Sequence, residues 1–229
     1  MPSLPNLRER LTPAVRMGIS IALAVGVYGV SFGALAVAAG LSVWQACALS
    51  ALMFTGGSQF AFIGVVAGGG TLPAATAAAS LLGVRNAVYG VQLNAMLRPR
   101  GPIKALHAHL TIDESTATAV AQEDPDEERR GFWTAGVGVW LLWNLFTLVG
   151  ALLGERIGDP TVWGLDGAAV AAFLGLLWPR LHGRDPIAIA VAAAAVTIVA
   201  VPLVPPGIPI IVAAAAAAAM AAVQHRRGA

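Results

Sequence analysis

Polar residues in the middle of long apolar runs are the part of this sequence that could bind a solute. The candidate substrate-binding residues come from two neighbouring runs: Phe54, Thr55, Gly56, Gly57, Ser58, Gln59, Arg85, Asn86 and Tyr89. A bilayer interior offers no hydrogen bonds, so a helix opened at Gly56-Gly57 must find partners in neighbouring helices, water or a ligand. We therefore interpret the apolar segment from about 43 to 66 as a broken helix that contributes to a solute site.

A break at these glycines would supply groups that bind a zwitterion. If a half-helix begins near Ser58, its free N–H groups and positive dipole end point towards an anionic group such as a carboxylate. The exposed carbonyls of Phe54 and Thr55 would accept an ammonium group. The simpler alternatives are that Ser58 caps the helix, which is expected in either case, and that Gln59 bonds a neighbouring helix.

Arg85 lies in the middle of an apolar segment from about 71 to 97, too far from either end to reach the membrane surface. An arginine in such a place faces the interior of a helix bundle and needs a partner, and by default it marks a functional site. The alternative is a structural anchor that donates to carbonyls of the broken segment. The sequence leaves both interpretations open.

Asp113 and Glu114 are the leading candidates for gating or proton coupling, since they form a carboxylate pair near the apolar segments. The competing interpretation is a capping box, Thr111-x-x-Glu114, that starts a helix. His107 and His109 lie on a polar connection and lack the i, i+4 spacing of a helical zinc pair. With no phosphate-binding loop and no hydrolase or metalloprotease motif, we expect no metal, no cofactor and no enzymatic activity.

The composition indicates a polytopic α-helical membrane protein. Hydrophobic residues make up 57% of the chain and charged residues 11%, and the mean hydropathy is +0.74. A soluble domain of this length could not bury so much apolar side chain. The apolar runs are continuous, which favours membrane helices over barrel strands. A net charge of +2 is too small to indicate nucleic acid as a partner.

We expect residues 1–229 to form a single integral membrane domain with about six or seven hydrophobic segments. These segments lie at about 17–39, 43–66, 71–97, 132–153, 165–178 and 186–204, with a last one ending near 223. Residues 98–130 form the long polar connection, in which the run from 123 to 130 resembles a solvated charged turn.

The distribution of basic residues predicts a topology. If the N-terminal residues 1–16 are cytoplasmic and the first three segments all cross, then Arg98, Arg100 and Lys104 lie outside, against the positive-inside rule. A second segment that enters and leaves on one side returns them to the cytoplasm, and every later basic cluster then also falls inside. The charge pattern therefore favours a re-entrant or broken second segment at Gly56-Gly57. This predicts that the 98–130 connection and both termini are cytoplasmic.

Four short motifs resemble those of a known family, the AzlC-type branched-chain amino acid permeases. Residues 54–61 look like its Phe-x-Gly-Ala-Ser-Gln motif, and residues 84–90 are similar to its Arg-His-x-x-Tyr-Gly stretch. Asp113-Glu114-Ser115 resembles its Thr-Asp-Glu-Ser/Thr signature. Residues 163–166 with 172–174 resemble its Leu-Asp…Phe block.

This resemblance implies export of leucine, isoleucine, valine or related amino acids across a bacterial inner membrane. It also implies a small AzlD-type membrane partner subunit, and with Asp113 and Glu114 it suggests coupling to the proton gradient. Two alternatives stay open: a permease for another small amphipathic metabolite, and a non-transporting membrane subunit whose polar residues serve helix packing.

The predicted topology is tested by cysteine labelling at Lys104. In a background with Cys47→Ala, which removes the native cysteine, a Lys104→Cys variant should react with a membrane-impermeant maleimide only from the cytoplasmic side. Labelling of intact cells from outside would contradict the topology.

Overall fold

The computed structural model describes residues 11–228, and within that range every regular element is helical. The helices are α1 (Pro13–Gly26), α2 (Tyr28–Ala38), α3 (Val43–Leu52), α4 (Gly56–Ala67), α5 (Leu72–Leu97), α6 (Ile103–His109), α7 (Asp113–Val120), α8 (Pro125–Ile157), α9 (Leu165–Leu177), α10 (Arg184–Ala200) and α11 (Ile208–Gly228). Short 3-10 turns, Pro160–Trp163 and Trp178–Arg180, flank α9. The all-α class is confirmed. Residues 1–10 of the predicted cytoplasmic N-terminus lie outside the described range.

Three helical stretches are long and apolar enough to cross a membrane, judged by length and composition: Pro13–Ala38, Pro125–Arg156 and Ile208–Arg226. The first joins α1 and α2 and confirms the predicted first segment. Helix α5 has 26 residues, about 39 Å at ~1.5 Å per residue, but it is less apolar because it carries Arg85 and several amides.

Three helix starts follow the capping signals of the sequence. At α3, Gln45 N donates to Ser42 Oγ at 3.2 Å and Ser42 N donates to Gln45 Oε1 at 2.8 Å, so the predicted capping box is confirmed. At α5, Thr71 Oγ1 accepts from Ala74 N at 3.3 Å. Thr12 caps α1 in the same way. Each cap satisfies an amide that has no partner inside its own helix.

The second apolar segment is broken, as predicted. Helix α3 ends at Leu52 and α4 begins at Gly56, so residues 53–55 form the break and the two glycines already belong to α4. The two arms diverge, since α3 packs against α8 whereas α4 packs against α5. Both arms also contact α2, so the break lies beside the centre of the helix bundle.

The polar connection of residues 98–130 contains two helices, α6 and α7, and is partly buried. His107 lies in α6, is 4% exposed and stacks on Phe132 with ring centroids 4.0 Å apart. Burial lowers the pKa of this imidazole. Leu110, Ile112 and Ser115 are also buried, and α7 packs on α1 and α8. The connection therefore carries part of the core.

Two predicted local features of this connection are wrong. Thr111 does not cap a helix with Glu114, because its Oγ1 donates to His107 O at 2.9 Å instead. At the start of α7, Ile112 N donates to Ser115 Oγ at 3.0 Å. The charged run near 123–130 is not a turn but the start of α8, where Asp124 Oδ1 accepts from Asp126 N at 2.9 Å. Acidic residues at a helix start favour this outcome, because they complement the helix dipole.

Glycines bring α1 and α2 into close contact with α8 along the centre of the fold. A Cβ atom at Gly33 would lie 2.1 Å from Thr147 O, and one at Gly150 would lie 2.1 Å from Val30 O. The backbones of α2 and α8 therefore touch at positions where only hydrogen fits. Small residues at such an interface are how membrane helices gain contact area.

We predict that Gly33→Ala destabilises the protein by about 1–3 kcal/mol, the usual range for overpacking. Gly90→Ala is the matched control, because nothing lies within 4 Å of the added methyl group and alanine favours a helix. Thermal unfolding in detergent measures both variants. Equal melting temperatures would mean that the close contact is unimportant.

Candidate functional site

A cavity of about 250 Å³ opens where α4 begins. Its polar lining consists of Thr55, Gly56, Gly57, Arg85, Asp113 and Glu114. Its apolar lining consists of Val25, Tyr28, Phe54, Phe60, Ile112, Val139, Trp143, Ala171, Phe173 and Gly175. The volume lies just below the ~300–1,000 Å³ typical of ligand pockets. It suits a small metabolite.

Seven of the residues predicted from the sequence meet at this cavity: Phe54, Thr55, Gly56, Gly57, Arg85, Asp113 and Glu114. Four others do not line it: Ser58, Gln59, Asn86 and Tyr89. Of these, Tyr89 bonds the cavity residue Asp113.

The N-terminus of α4 presents free amides at the cavity. Gln59 N is the first amide of this helix to reach a carbonyl, that of Thr55 at 3.0 Å. Within residues 11–228 the N–H groups of Gly56, Gly57 and Ser58 have no such partner, as expected for the first turn. The positive end of the helix therefore begins at Gly56, two residues earlier than predicted.

Ser58 does not cap α4, which corrects the expectation. Thr55 is the N-cap residue, and no side chain bonds the cap. The Ser58 side chain is 1% exposed, and its hydroxyl has no hydrogen-bond partner in the described part of the chain. It points at α5, where a Cβ at Gly83 would lie 3.4 Å from Ser58 Oγ.

Gln59 joins the two sides of the break. Its side chain is fully buried, and Nε2 donates to Ser50 O at 3.2 Å and to Met53 O at 2.7 Å. Its Oε1 accepts from Trp143 Nε1 at 2.8 Å. The interpretation that Gln59 bonds a neighbouring helix is confirmed. Carbonyls left open where α3 ends are satisfied here without water.

Arg85 pairs with Asp113 rather than with carbonyls of the broken segment. Arg85 Nη2 lies 2.8 Å from Asp113 Oδ2, and the two side chains are 28% and 15% exposed. The same nitrogen would lie 2.9 Å from a Cβ at Gly57. The guanidinium therefore rests against the first turn of α4, where the absence of a side chain admits it.

Asp113 is held from its other side by Tyr89. The Tyr89 hydroxyl donates to Asp113 Oδ1 at 2.9 Å and accepts from Arg180 Nη2 at 3.2 Å. This chain of polar contacts links α5, α7 and the turn after α9. Arg180 was missed as a site residue, because near the end of an apolar run it signals only topology.

Glu114 lines the cavity beside Asp113 and is half-buried. Burial raises its pKa to about 7, the Asp113 carboxylate adds to this, and a backbone hydrogen bond and Arg85 oppose it. The side chain can therefore gain or lose a proton near neutral pH. Helix α7 is not among the stretches that can span a membrane.

An aromatic wall, formed by Phe60, Trp143 and Phe173, lines the same cavity as these charges. Phe60 lies 6.3 Å from Trp143 and 6.5 Å from Phe173 between ring centroids, edge-on to both. Sequence reasoning missed this wall because the three residues look like ordinary members of apolar helices. Phe60 and Phe173 do lie in two of the motifs named above, residues 54–61 and 172–174, and the indole N–H of Trp143 is a donor that needs a partner in an apolar run. None of these signals indicated that the three rings meet.

The described residues hold no cluster of three or more His, Cys, Asp or Glu side chains that could bind a metal ion. Two of the charged groups at the cavity, Arg85 and Asp113, are partners for one another.

Comparison with known proteins places the chain in a family. The model of the family described as "AzlC protein" matches residues 20–157. This range includes the charged groups and Trp143 but not Phe173 or Arg180. The chain is also similar to "Inner membrane protein YgaZ" of Escherichia coli (strain K12), at 29% identity over 157 residues.

That alignment covers 66% of this chain and spans only 61% of the relative's length. Among solved structures, none matches the chain significantly. The family model covers more than half of the chain, and three helical stretches of the described residues have the length and composition of membrane spans; this protein is a membrane protein of the AzlC family.

Proposed function

We propose that this protein is a membrane transporter that exports branched-chain amino acids. The observation that carries the proposal is one small cavity that combines charged groups with aromatic rings. A charged pole, formed by Arg85, Asp113 and the N-terminus of α4, lines it. The aromatic wall lines the same cavity, and its residues Trp143 and Phe173 adjoin Gly56 and Gly57 at the helix end. A small zwitterion with an apolar side chain matches both sets of groups.

The charged pole has room for an added negative charge. Arg85 and the positive end of α4 adjoin each other, which is unfavourable for both, and Arg180 lies two contacts away. Asp113 supplies the compensating carboxylate. A substrate carboxylate could bond the free amides of Gly56 and Gly57 and compete with Asp113 for the guanidinium, as two charge-assisted contacts.

Acceptors for the substrate ammonium lie beside this pole. The Phe54 carbonyl receives no hydrogen bond from the described residues, while that of Thr55 receives one and keeps a second lone pair. Asp113 and Glu114 add carboxylate oxygens on the α7 side. The predicted role of Phe54 and Thr55 is therefore compatible with the geometry.

The aromatic wall favours a substrate with an apolar side chain. Each methylene that leaves water for such a surface contributes about 0.8 kcal/mol, whereas a polar side chain would lose hydrogen bonds that the wall cannot replace. Leucine, isoleucine and valine meet both conditions and are small enough for a cavity of about 250 Å³.

Movement of the solute would use the break at residues 53–55 as the point where α3 and α4 change their relative position. Glu114 is the proposed proton carrier, because it lines the cavity and titrates near neutral pH. Asp113 would act as the gate through its bond to Arg85.

We propose a bacterial inner membrane as the location, which the name of the Escherichia coli relative supports, and a small AzlD-type subunit as the partner, as the sequence motifs imply. Helix α11 offers apolar surface for such a partner, because only 6% of the residues in its most apolar stretch are buried inside the protein. The basic residues of the sequence support cytoplasmic termini and a cytoplasmic mouth at α6 and α7.

We predict that proteoliposomes containing the full chain and its partner subunit export labelled leucine, and that Arg85→Gln lowers the rate roughly tenfold or more. A hydrogen bond to a charged group contributes about 1.5–3 kcal/mol, and about 1.4 kcal/mol is tenfold. Arg85→Lys should retain part of the rate. Arg129→Gln is the control, since Arg129 forms an exposed pair with Asp126 at 3.1 Å.

Each outcome separates one alternative. Export of a different amphipathic metabolite in place of leucine would identify another permease. No export of any solute, with both subunits inserted, would indicate a non-transporting subunit. Full leucine export by a folded Arg85→Gln variant would remove Arg85 from the site.

We predict that Glu114 makes the protein less stable as the pH rises. An unfolded glutamate loses its proton near its ordinary pKa of 4.5, whereas folded Glu114 keeps it to about 7. Between these values the folded state binds more protons, so the free energy of unfolding falls as pH rises through this window and then levels off.

The measurement is the melting temperature in detergent from pH 4 to 8 for the wild type and for Glu114→Gln. The variant should lose most of the slope in this window, while Glu123→Gln, an exposed control, should keep it. Coupling adds a second readout: leucine export by Glu114→Gln should no longer respond to an imposed pH gradient. A variant that retains both responses excludes Glu114 as the proton carrier.

A further inference from the structure

Consecutive residues at the start of α4 face different groups. A Cβ at Gly57 would lie 2.9 Å from Arg85 Nη2 and 3.3 Å from Phe173 Cε1, whereas a Cβ at Gly56 would lie 3.1 Å from Trp143 Cη2. The guanidinium and the indole therefore flank the same helix end. Under the proposed function, a ligand whose carboxylate lies at Arg85 would extend along Gly56 towards the indole.

The indole is held in one orientation. Trp143 is 5% exposed, and its Nε1 donates to Gln59 Oε1 at 2.8 Å. Phe32 stacks on the ring at 6.3 Å between centroids, and Phe60 meets it edge-on. Gln59 is itself held by two carbonyls at the end of α3. The break in the second segment thus positions the indole.

We propose that Trp143 is the specificity-determining residue of this cavity. Its ring closes the end that receives the apolar side chain, admits aliphatic side chains of up to four carbons and excludes aromatic ones. Gln59 does not touch the ligand and acts as a positioning residue for the ring. This inference rests on the proposed function and adds to it the size limit of the substrate class.

The chemistry of the wall supports this assignment. Indole is the largest side chain, and the packed rings around Trp143 leave it no second place to move. The cavity of about 250 Å³ is smaller than typical ligand pockets of ~300–1,000 Å³. A smaller residue at this position would lengthen the cavity by the volume of the missing ring, in the direction of the substrate side chain.

The test is the ratio of initial export rates of leucine and phenylalanine, measured in proteoliposomes that contain the full chain with its partner subunit. Trp143→Leu keeps an apolar residue in the core and should shift the ratio towards phenylalanine by at least about tenfold. A difference of one methylene between two substrates in an apolar pocket already changes the ratio of their rates by about that factor. Trp143→Phe should shift it less, in the same direction.

Trp140→Leu is the matched control. Trp140 lies on the same helix and donates to Ala51 O at 3.4 Å, but it does not line the cavity. Its replacement should leave the ratio unchanged. Gln59→Met removes the partner of the indole and should also shift the ratio towards phenylalanine, whereas a purely structural role would lower both rates alike.

The outcomes distinguish this inference from the proposed function. If the wild type exports no amino acid, the proposed function fails. If the wild type exports leucine and the ratio is unchanged in folded Trp143→Leu and Trp143→Phe, the proposed function stands and Trp143 does not set specificity. Thermal unfolding in detergent establishes that each variant is folded.

Discussion

The contact of Arg85 with the first turn of α4 is the interaction on which the rest of the site depends. A guanidinium beside the positive end of a helix is unfavourable, and the Asp113 carboxylate 2.8 Å away compensates for it. Tyr89 and Arg180 hold that carboxylate from the other side. The unfavourable electrostatic energy of placing a guanidinium at a helix N-terminus therefore falls next to the cavity of this membrane protein.

The break before α4 makes this contact possible. A continuous helix would bond the amides of Gly56, Gly57 and Ser58 to preceding carbonyls and leave no positive end inside the protein. Gln59 satisfies two of the carbonyls that the break exposes, and through Trp143 it attaches the break to α8. Helix α8 in turn packs on α2 through glycine contacts that fix their spacing. Charge, aromatic wall and helix core thus form one connected unit.

Much of the local structure could be predicted from the sequence. The capping box at Ser42 and Gln45, the start of α5 after Thr71, and the interruption near Gly56 all depend on residues within one turn of each other. The need of Arg85 for a partner also followed from its position in an apolar run. The prediction of a capping box at Thr111 and Glu114 was wrong because a second short-range pattern competed with it. Ile112 N donates to Ser115 Oγ instead.

Only the tertiary structure decided which residues meet. The partner of Arg85 lies 28 positions away on the polar connection, and the partner of Gln59 lies 84 positions away on α8. The sequence by itself determined the membrane class, the helices and the broken segment, because these follow from local composition and capping. It could not determine the facing of helices that are apolar on every side, since no hydrophobic stripe marks their inner surface. Packing against neighbours alone sets that rotation, and with it the aromatic wall and the pairing of Asp113.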